Sequence, residues 1–332
     1  MNETRHVALL GCGYWGKNLA RNLHELGALQ LVCDPAESGR TAAAENAPGV
    51  SISSEFNDAL KSDDIEAVAI ATPADTHFEL ATAALNAGKD VFVEKPLALQ
   101  AGEGERLKDL AQERACILMV GHLLEYHPAV VRLHELVDAG ELGNVNYIYS
   151  NRLNFGKVRT EENALWSFAP HDVAVILRLF DEMPVEVTCT GGSYLTPGLA
   201  DVTVSTLLFQ SGRRAHIFVS WLNPFKEQKL VVVGEQRMAV FNDVAAEDKL
   251  VLYDQRVDFQ EATPVLQNDG QQAIALSDDE PLRRECEHFL ECVATRNIPL
   301  TDAESGVRVL RVLEACQKSL EQNGRPVSLD EH

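Results

Sequence analysis

His6-Val7-Ala8-Leu9-Leu10-Gly11-Cys12-Gly13-Tyr14-Trp15-Gly16 is the stretch that decides the fold. Residues 6–10 are a short apolar run of strand type. The next six residues spell G-x-G-x-x-G, and apolar positions at helical spacing then continue through Leu26 to Gly27. The string alone is common. Between a strand and a helix it is the setting for a dinucleotide's pyrophosphate. Gly11 permits the tight turn, Gly13 removes a Cβ where the backbone approaches phosphate, and Gly16 lets helix and strand pack closely. The helix N-terminus supplies N–H groups and positive dipole. Tyr14 and Trp15 fill the variable positions and lie beside the same phosphates.

Working outward, apolar runs at 29–33, 50–53, 67–71, 90–93 and 116–120 alternate with helical patterns at 35–46, 55–61, 76–87 and 101–114. Such alternation predicts βαβ units and a parallel sheet. The second strand ends in Asp34, 18 residues after Gly16. An acidic side chain there accepts hydrogen bonds from an adenosine ribose and repels a 2′-phosphate, which favours NAD over NADP. Asp34 before Pro35, with Glu37 following, also reads as a helix cap, and the two roles coexist. Arg40 lies close in sequence and leaves NADP open.

Beyond residue 123 the rhythm changes. Helices are expected at 128–139 and 170–180. Strands are expected at 144–154, 185–190, 202–209, 214–221, 229–233, 238–242 and 249–253, many joined by Gly-containing turns. Residues 255–280 read as a long surface connection, and helices at 281–295 and 303–322 close the chain. The expectation is an α/β Rossmann domain over 1–123, then an α+β substrate-binding and oligomerisation domain over 124–332 with a large, mostly antiparallel open sheet.

The 332 residues suit about two domains. Lys plus Arg is 29 against 50 Asp plus Glu, a net charge of −21 that argues against general nucleic-acid binding. There is no run of membrane-span length and no signal-peptide h-region. The seven cysteines form no C-x-x-C pair, and no His/Cys group has zinc spacing, so buried free thiols in a reducing cytoplasm, without a metal, are expected.

Three clusters carry chemistry. Thr72-Pro73 ends the fourth strand and His77 opens the next helix, at the sheet's carboxyl rim where ligands bind. Thr72 also reads as a bare turn residue. Glu94-Lys95-Pro96 ends the fifth strand at the same rim, where Lys95 can hold a substrate hydroxyl; Lys95–Pro96 can be cis. Further on, Trp166-Ser167-Phe168-Ala169-Pro170-His171-Asp172 is expected to open a helix with Pro170 at its first position. His171 then sits in the first turn, where the dipole favours a neutral imidazole fit for a general base; a packing histidine is the plain alternative.

Together these motifs resemble the Gfo/Idh/MocA oxidoreductase family over nearly the whole chain. The resemblance implies hydride transfer between NAD and a sugar or cyclitol hydroxyl, with Lys95 and His171 catalytic, Glu94 and His122 near the cofactor, and assembly through the open sheet as a tetramer rather than a dimer. Ser167 departs from the pattern, since many members carry Asp four residues before the histidine. Residues 121–128, 151–156 and 166–172 resemble the family's bacterial nucleotide-sugar 3-dehydrogenases. That implies a UDP-sugar substrate, UDP-N-acetylglucosamine or its uronate, in lipid A or O-antigen synthesis, with a transaminase consuming the ketone. Arg152, Lys157 and Arg159 are then candidates for the diphosphate, Tyr126 or Trp166 for stacking, and Asn154 and His171 for further contacts. A cyclitol or sugar dehydrogenase and a non-catalytic sensor on the same fold are the competing expectations.

Overall fold

The structure is a computed structural model that describes residues 6–156 and 158–329. It divides into two compact units. The first is the chain up to Tyr126 together with Asp279–Leu310. The second is His127–Asp278 together with the chain from Arg311 onward.

The first unit carries a six-stranded parallel sheet in the order β3-β2-β1-β4-β5-β6: Val7–Leu10 (β1), Leu29–Cys33 (β2), Ser51–Ser53 (β3), Ala67–Ile70 (β4), Asp90–Glu94 (β5) and Leu118–Gly121 (β6). Helices Gly16–Glu25 (α1), Glu37–Asn46 (α2), Phe56–Lys61 (α3), His77–Asn86 (α4) and Ala101–Arg114 (α5) connect the strands. The order reverses between β1 and β4, which opens the ligand crevice of a doubly wound sheet at their carboxyl ends. Strands β1 and β4 are wholly buried, as their continuous apolar runs require.

The return of Asp279–Leu310 to the first unit corrects a simple cut at 123/124. The reason is the apolar stripe of Pro281–Thr295 (α8). Leu282, Cys286, Phe289, Cys292 and Val293 join one core with Val7, Leu9, Leu19 and Leu23. Phe289 meets Phe92 edge-on, with ring centroids 5.7 Å apart, and Arg296 grips Asp90 through two bonds of 2.6 and 3.0 Å. Burying one such aromatic contributes roughly 1.5–3 kcal/mol.

The second unit holds a nine-stranded sheet in the order β14-β13-β12-β11-β7-β10-β9-β8-β15. Its strands are Val145–Phe155 (β7), Pro184–Gly192 (β8), Val202–Phe209 (β9), Arg214–Ser220 (β10), Leu222–Gly234 (β11), Met238–Asn242 (β12), Leu250–Gln260 (β13), Thr263–Ala273 (β14) and Val327–Ser328 (β15). All neighbours are antiparallel except β7 and β10. Helices Pro128–Asp138 (α6) and Ala164–Phe180 (α7) belong to this unit, and Ala303–Glu321 (α9) ends in it. The expected surface connection after Tyr253 is instead a hairpin, β13 with β14. Its polar alternation reflects a ribbon exposed on both faces.

A second correction concerns α7. It begins at Ala164, capped by Asn163, whose side chain accepts the Trp166 amide at 3.2 Å. Pro170 therefore lies inside the helix and removes the backbone bond to Trp166. His171 stands two turns in, beyond the reach of the N-terminal dipole, so that argument for a neutral imidazole does not apply.

Candidate functional site

Three glycines shape the loop after β1, each for its own reason. Gly11 has φ +87°, and a Cβ there would lie 2.9 Å from the Ala71 carbonyl oxygen; at Gly16 a Cβ would lie 2.2 Å from the Gly11 oxygen. These two are demanded by the fold. At Gly13 a Cβ would meet nothing within 4 Å. Its absence serves no packing need and leaves a bare backbone face open to a ligand. Helix α1 starts without a side-chain cap, so its first amides are not spent on a side chain. Tyr14 is exposed beside the Lys17 ammonium, 5.8 Å from its ring centroid.

Asp34 follows β2 and is buried. Its Oδ2 accepts the Cys12 amide at 2.7 Å and its Oδ1 the Ala36 amide at 2.8 Å. The carboxylate thus joins the glycine loop to the start of α2, with lone pairs left over for a ribose. It does not cap α2 in the expected way, since the N-cap residue is Ala36. Arg40 is turned to the carbonyls of Asp34 and Pro35.

At the carboxyl rim, Thr72 Oγ1 lies 2.6 Å from Thr76 Oγ1, and Pro73 is exposed. His77 is no ligand contact. Its ring is buried, with Nδ1 2.7 Å from the Pro96 oxygen and Nε2 3.0 Å from the Thr72 oxygen. Burial holds it below the usual imidazole range. A neutral ring donates to one of these carbonyls at a time, and it pins the Thr72 turn to the loop after β5. The Lys95–Pro96 peptide is cis.

Glu94 closes β5. It accepts the Trp15 indole N–H on Oε1 and the Lys95 amide on Oε2 at 3.3 Å. Burial raises its pKa to about 7, against the Trp15 bond and the Lys95 charge. The Lys95 charge also bears on His77 and His122. His122 is buried after β6, and desolvation pushes it down to about 4. Trp15, Glu94 and Lys95 therefore form one electrostatic unit. Tyr126 does not belong to the site. Its ring is buried, its hydroxyl lies 3.2 Å from Thr301 Oγ1, and burial raises its pKa.

In the second unit, Ser167 and His171 are four residues apart on α7 and project from one face. Asp172 is buried, accepting Ser150 Oγ at 2.7 Å and Arg152 Nε and Nη2 at 2.8 and 3.2 Å. This corrects the reading of Arg152 as a diphosphate ligand: its guanidinium is committed to the carboxylate beside His171. Asn154 follows on the same face of β7, and its buried Oδ1 has no hydrogen-bond partner among the described residues. Arg159 lies 3.7 Å from Glu162 through Nε, Trp166 is half-buried, and Lys157 lies outside the described residues.

Sequence reasoning missed the Asp172–Arg152–Ser150 clamp, because its members are far apart in the chain. It also missed Glu285, a carboxylate on the buried stripe of α8. Its spacing from Leu282 and Phe289 was the available signal.

Two family descriptions match the chain. "Oxidoreductase family, NAD-binding Rossmann fold" covers residues 5–122, and "GFO/IDH/MocA C-terminal domain" covers residues 130–240. The chain belongs to the Gfo/Idh/MocA oxidoreductase family. It is an NAD-dependent oxidoreductase. UDP-N-acetylglucosamine 3-dehydrogenase of Acidithiobacillus ferrooxidans is 28% identical over 92% of this chain and 93% of that enzyme. A structure of that enzyme superposes with TM-score 0.84 at 26% identity, covering 96% and 97% of the two chains. The scyllo-inositol 2-dehydrogenase (NAD(+)) of Bacillus subtilis is 27% identical over 99% of this chain and 98% of its own. The 2,7-anhydro-N-acetylneuraminate hydratase of Mediterraneibacter gnavus is 30% identical, but over 62% of this chain and 58% of its own.

The residues present fit NAD. Gly13 leaves the open cradle, Asp34 presents a carboxylate at the end of β2, and Trp15, Glu94 and Lys95 stand at the carboxyl rim. Among the described residues no helix is long and apolar enough to cross a membrane, and no group of side chains is arranged to hold a metal.

Proposed function

We propose that the chain oxidises the carbon 3 hydroxyl of UDP-N-acetylglucosamine to the 3-keto sugar nucleotide. The observation that carries this reading is the end-to-end similarity to an enzyme of that activity, 92% of one chain on 93% of the other. Lys95 and His171 are the catalytic pair. His171 takes the hydroxyl proton. Lys95 holds the same oxygen and stabilises the negative charge that grows on it, an interaction that strengthens toward the transition state. NAD, when bound, accepts the hydride. Ser167, where the family resemblance implies an Asp, cannot act as a carboxylate relay. With Arg152 committed to Asp172, Arg159, Lys157 and Asn154 are the remaining candidates for the nucleotide end. The product ketone suits a transaminase acting next.

Full-chain similarity to the inositol dehydrogenase gives a second reading, a free cyclitol. Absorbance of NADH decides between them. The first reading expects it to rise with UDP-N-acetylglucosamine and not with inositols. UDP alone should inhibit. A rise with inositols and indifference to UDP would establish the cyclitol instead, and a rise with the uronate alone would move the substrate to the O-antigen sugar.

A further inference from the structure

Glu285, on α8, has no exposure, and neither of its carboxyl oxygens has a hydrogen-bond partner among the described residues. The titratable groups that bear on it are Glu94 from β5, Tyr126 from the turn after β6 and Cys286 from its own helix, none of them a cation. Helix α1 packs against α8, but its Arg21 is spent on Glu280, and Arg283 is turned outward to Glu25 and Glu287. An ionised carboxylate at Glu285 would be uncompensated, so the fold supports the neutral acid.

Glu94 is built the other way. The Trp15 indole, the Lys95 amide and the Lys95 ammonium all favour its charged form. A Cβ at Gly121 would lie 3.0 Å from its Oε2, so Gly121 holds it closely from the side. It ends β5 at the carboxyl rim and is tied by Trp15 to the glycine loop, the two features against which a dinucleotide lies.

We propose that Glu94 supplies the negative charge by which the first unit distinguishes an oxidised from a reduced nicotinamide, while Glu285 behind it contributes none. The inference rests on the NAD-binding assignment. The two cofactor forms share every group except the ring, which is cationic when oxidised and neutral when reduced. A carboxylate at the rim therefore favours the oxidised form. Protonation of Glu94 removes that preference, and its titration lies near neutrality. Oxidised cofactor thus releases a proton on binding below neutral pH, and reduced cofactor does not.

The test uses the full chain, with NAD and NADH as ligands and tryptophan fluorescence quenching as the readout. The preference for NAD over NADH should rise about tenfold between about pH 6 and about pH 8.5, from Coulomb attraction at a partly screened site. Glu94→Gln should flatten that rise, because the amide carries no charge at any pH. Calorimetry of NAD binding to the wild-type chain in two buffers of different ionisation enthalpy should show proton release near pH 6.5, and needs no variant. For Glu285 the readout is stability. A carboxyl whose native pKa is raised binds its proton while the unfolded chain loses it, so it destabilises increasingly as pH climbs above the unfolded value of about 4.3. Glu285→Gln should therefore raise Tm by a few degrees at alkaline pH, with a smaller gain under acid, and preserve the pH-dependent cofactor preference. A flat preference in the wild-type chain, or a Tm lowered by Glu285→Gln at alkaline pH, would overturn the inference. Absence of binding by either cofactor form would instead remove the NAD assignment on which it rests.

Discussion

At the scale of single residues, the three glycines of the phosphate loop separate structural need from ligand need. Gly11→Ala forces a side chain into a left-handed conformation and against the Ala71 carbonyl, so it should lower stability by about 1–3 kcal/mol in a denaturant titration. Gly13→Ala meets open space, so it should fold with unchanged stability and weaken NAD binding measured by fluorescence. Equal stability losses in both would show that Gly13 is a packing residue as well. Lys95→Ala and His171→Ala address the chemistry. Each should cut kcat by roughly 10²–10⁴ while NADH still binds, as expected for removing a positioned acid, base or charge. A variant that keeps wild-type turnover loses its assigned role. The strand–glycine–helix order made the loop residues legible in the sequence, because each glycine's role follows from local geometry. His77, Tyr126 and Arg152 were legible as candidates only. Their fates depend on Pro96, Thr301 and Asp172, distant residues that no local pattern couples to them.

At the scale of elements, α7 is the instructive case. Its apolar residues were readable, but Pro170 drew the predicted start six residues too far along the chain. A proline inside a helix is costly alone and tolerated where tertiary packing compensates. Here the helix is almost wholly buried over the sheet and anchored by Asp172 to β7. That anchor also holds the turn bearing His171. Asp172→Ala leaves the Arg152 guanidinium buried without its partner, so it should destabilise the chain by about 3–5 kcal/mol. The double variant Asp172→Leu with Arg152→Met removes both charges and should recover much of that loss in the same denaturation experiment. If the double variant is as unstable as the single one, the pair's geometry, beyond its charge balance, holds α7. The hairpin β13–β14 and the return of α8 escaped reading for opposite reasons. The first has too little apolar periodicity, and the second shows a clear stripe whose packing partner lies some 250 residues upstream in α1.

The whole molecule poses a solubility problem that its charge does not solve. Residues of β7, β9 and β10 on the sheet face turned away from α7 include Tyr147 and Val204, both at least 40% exposed, with Tyr149 two residues along β7 from Tyr147 and Phe218 paired to Val204. The ribbon β13–β14 runs on past β12, which pairs only Leu250–Tyr253 of it. Beyond that point Val257 pairs with Leu266, and Phe259 with Pro264. Phe259 and Leu266 are 71% and 81% exposed, so the ribbon tip has an apolar face with nothing from its own unit against it. A two-stranded ribbon is marginal alone, and apolar patches of this kind mark interfaces. A net charge of −21 spread over a 36.5 kDa chain repels copies at long range but is screened within about 8 Å at physiological salt, well inside the range of an apolar contact. The second copy is therefore the partner we propose, through the open sheet face and the ribbon. Light scattering after size exclusion should give a multiple of the chain mass, four copies by the family resemblance. Phe259→Glu with Leu266→Glu should shift it to a smaller species without lowering the helix and strand signal. A monomer at micromolar concentration for the wild-type chain would assign the exposed ribbon to another partner, and an unchanged mass in the double variant would confine the interface to the sheet.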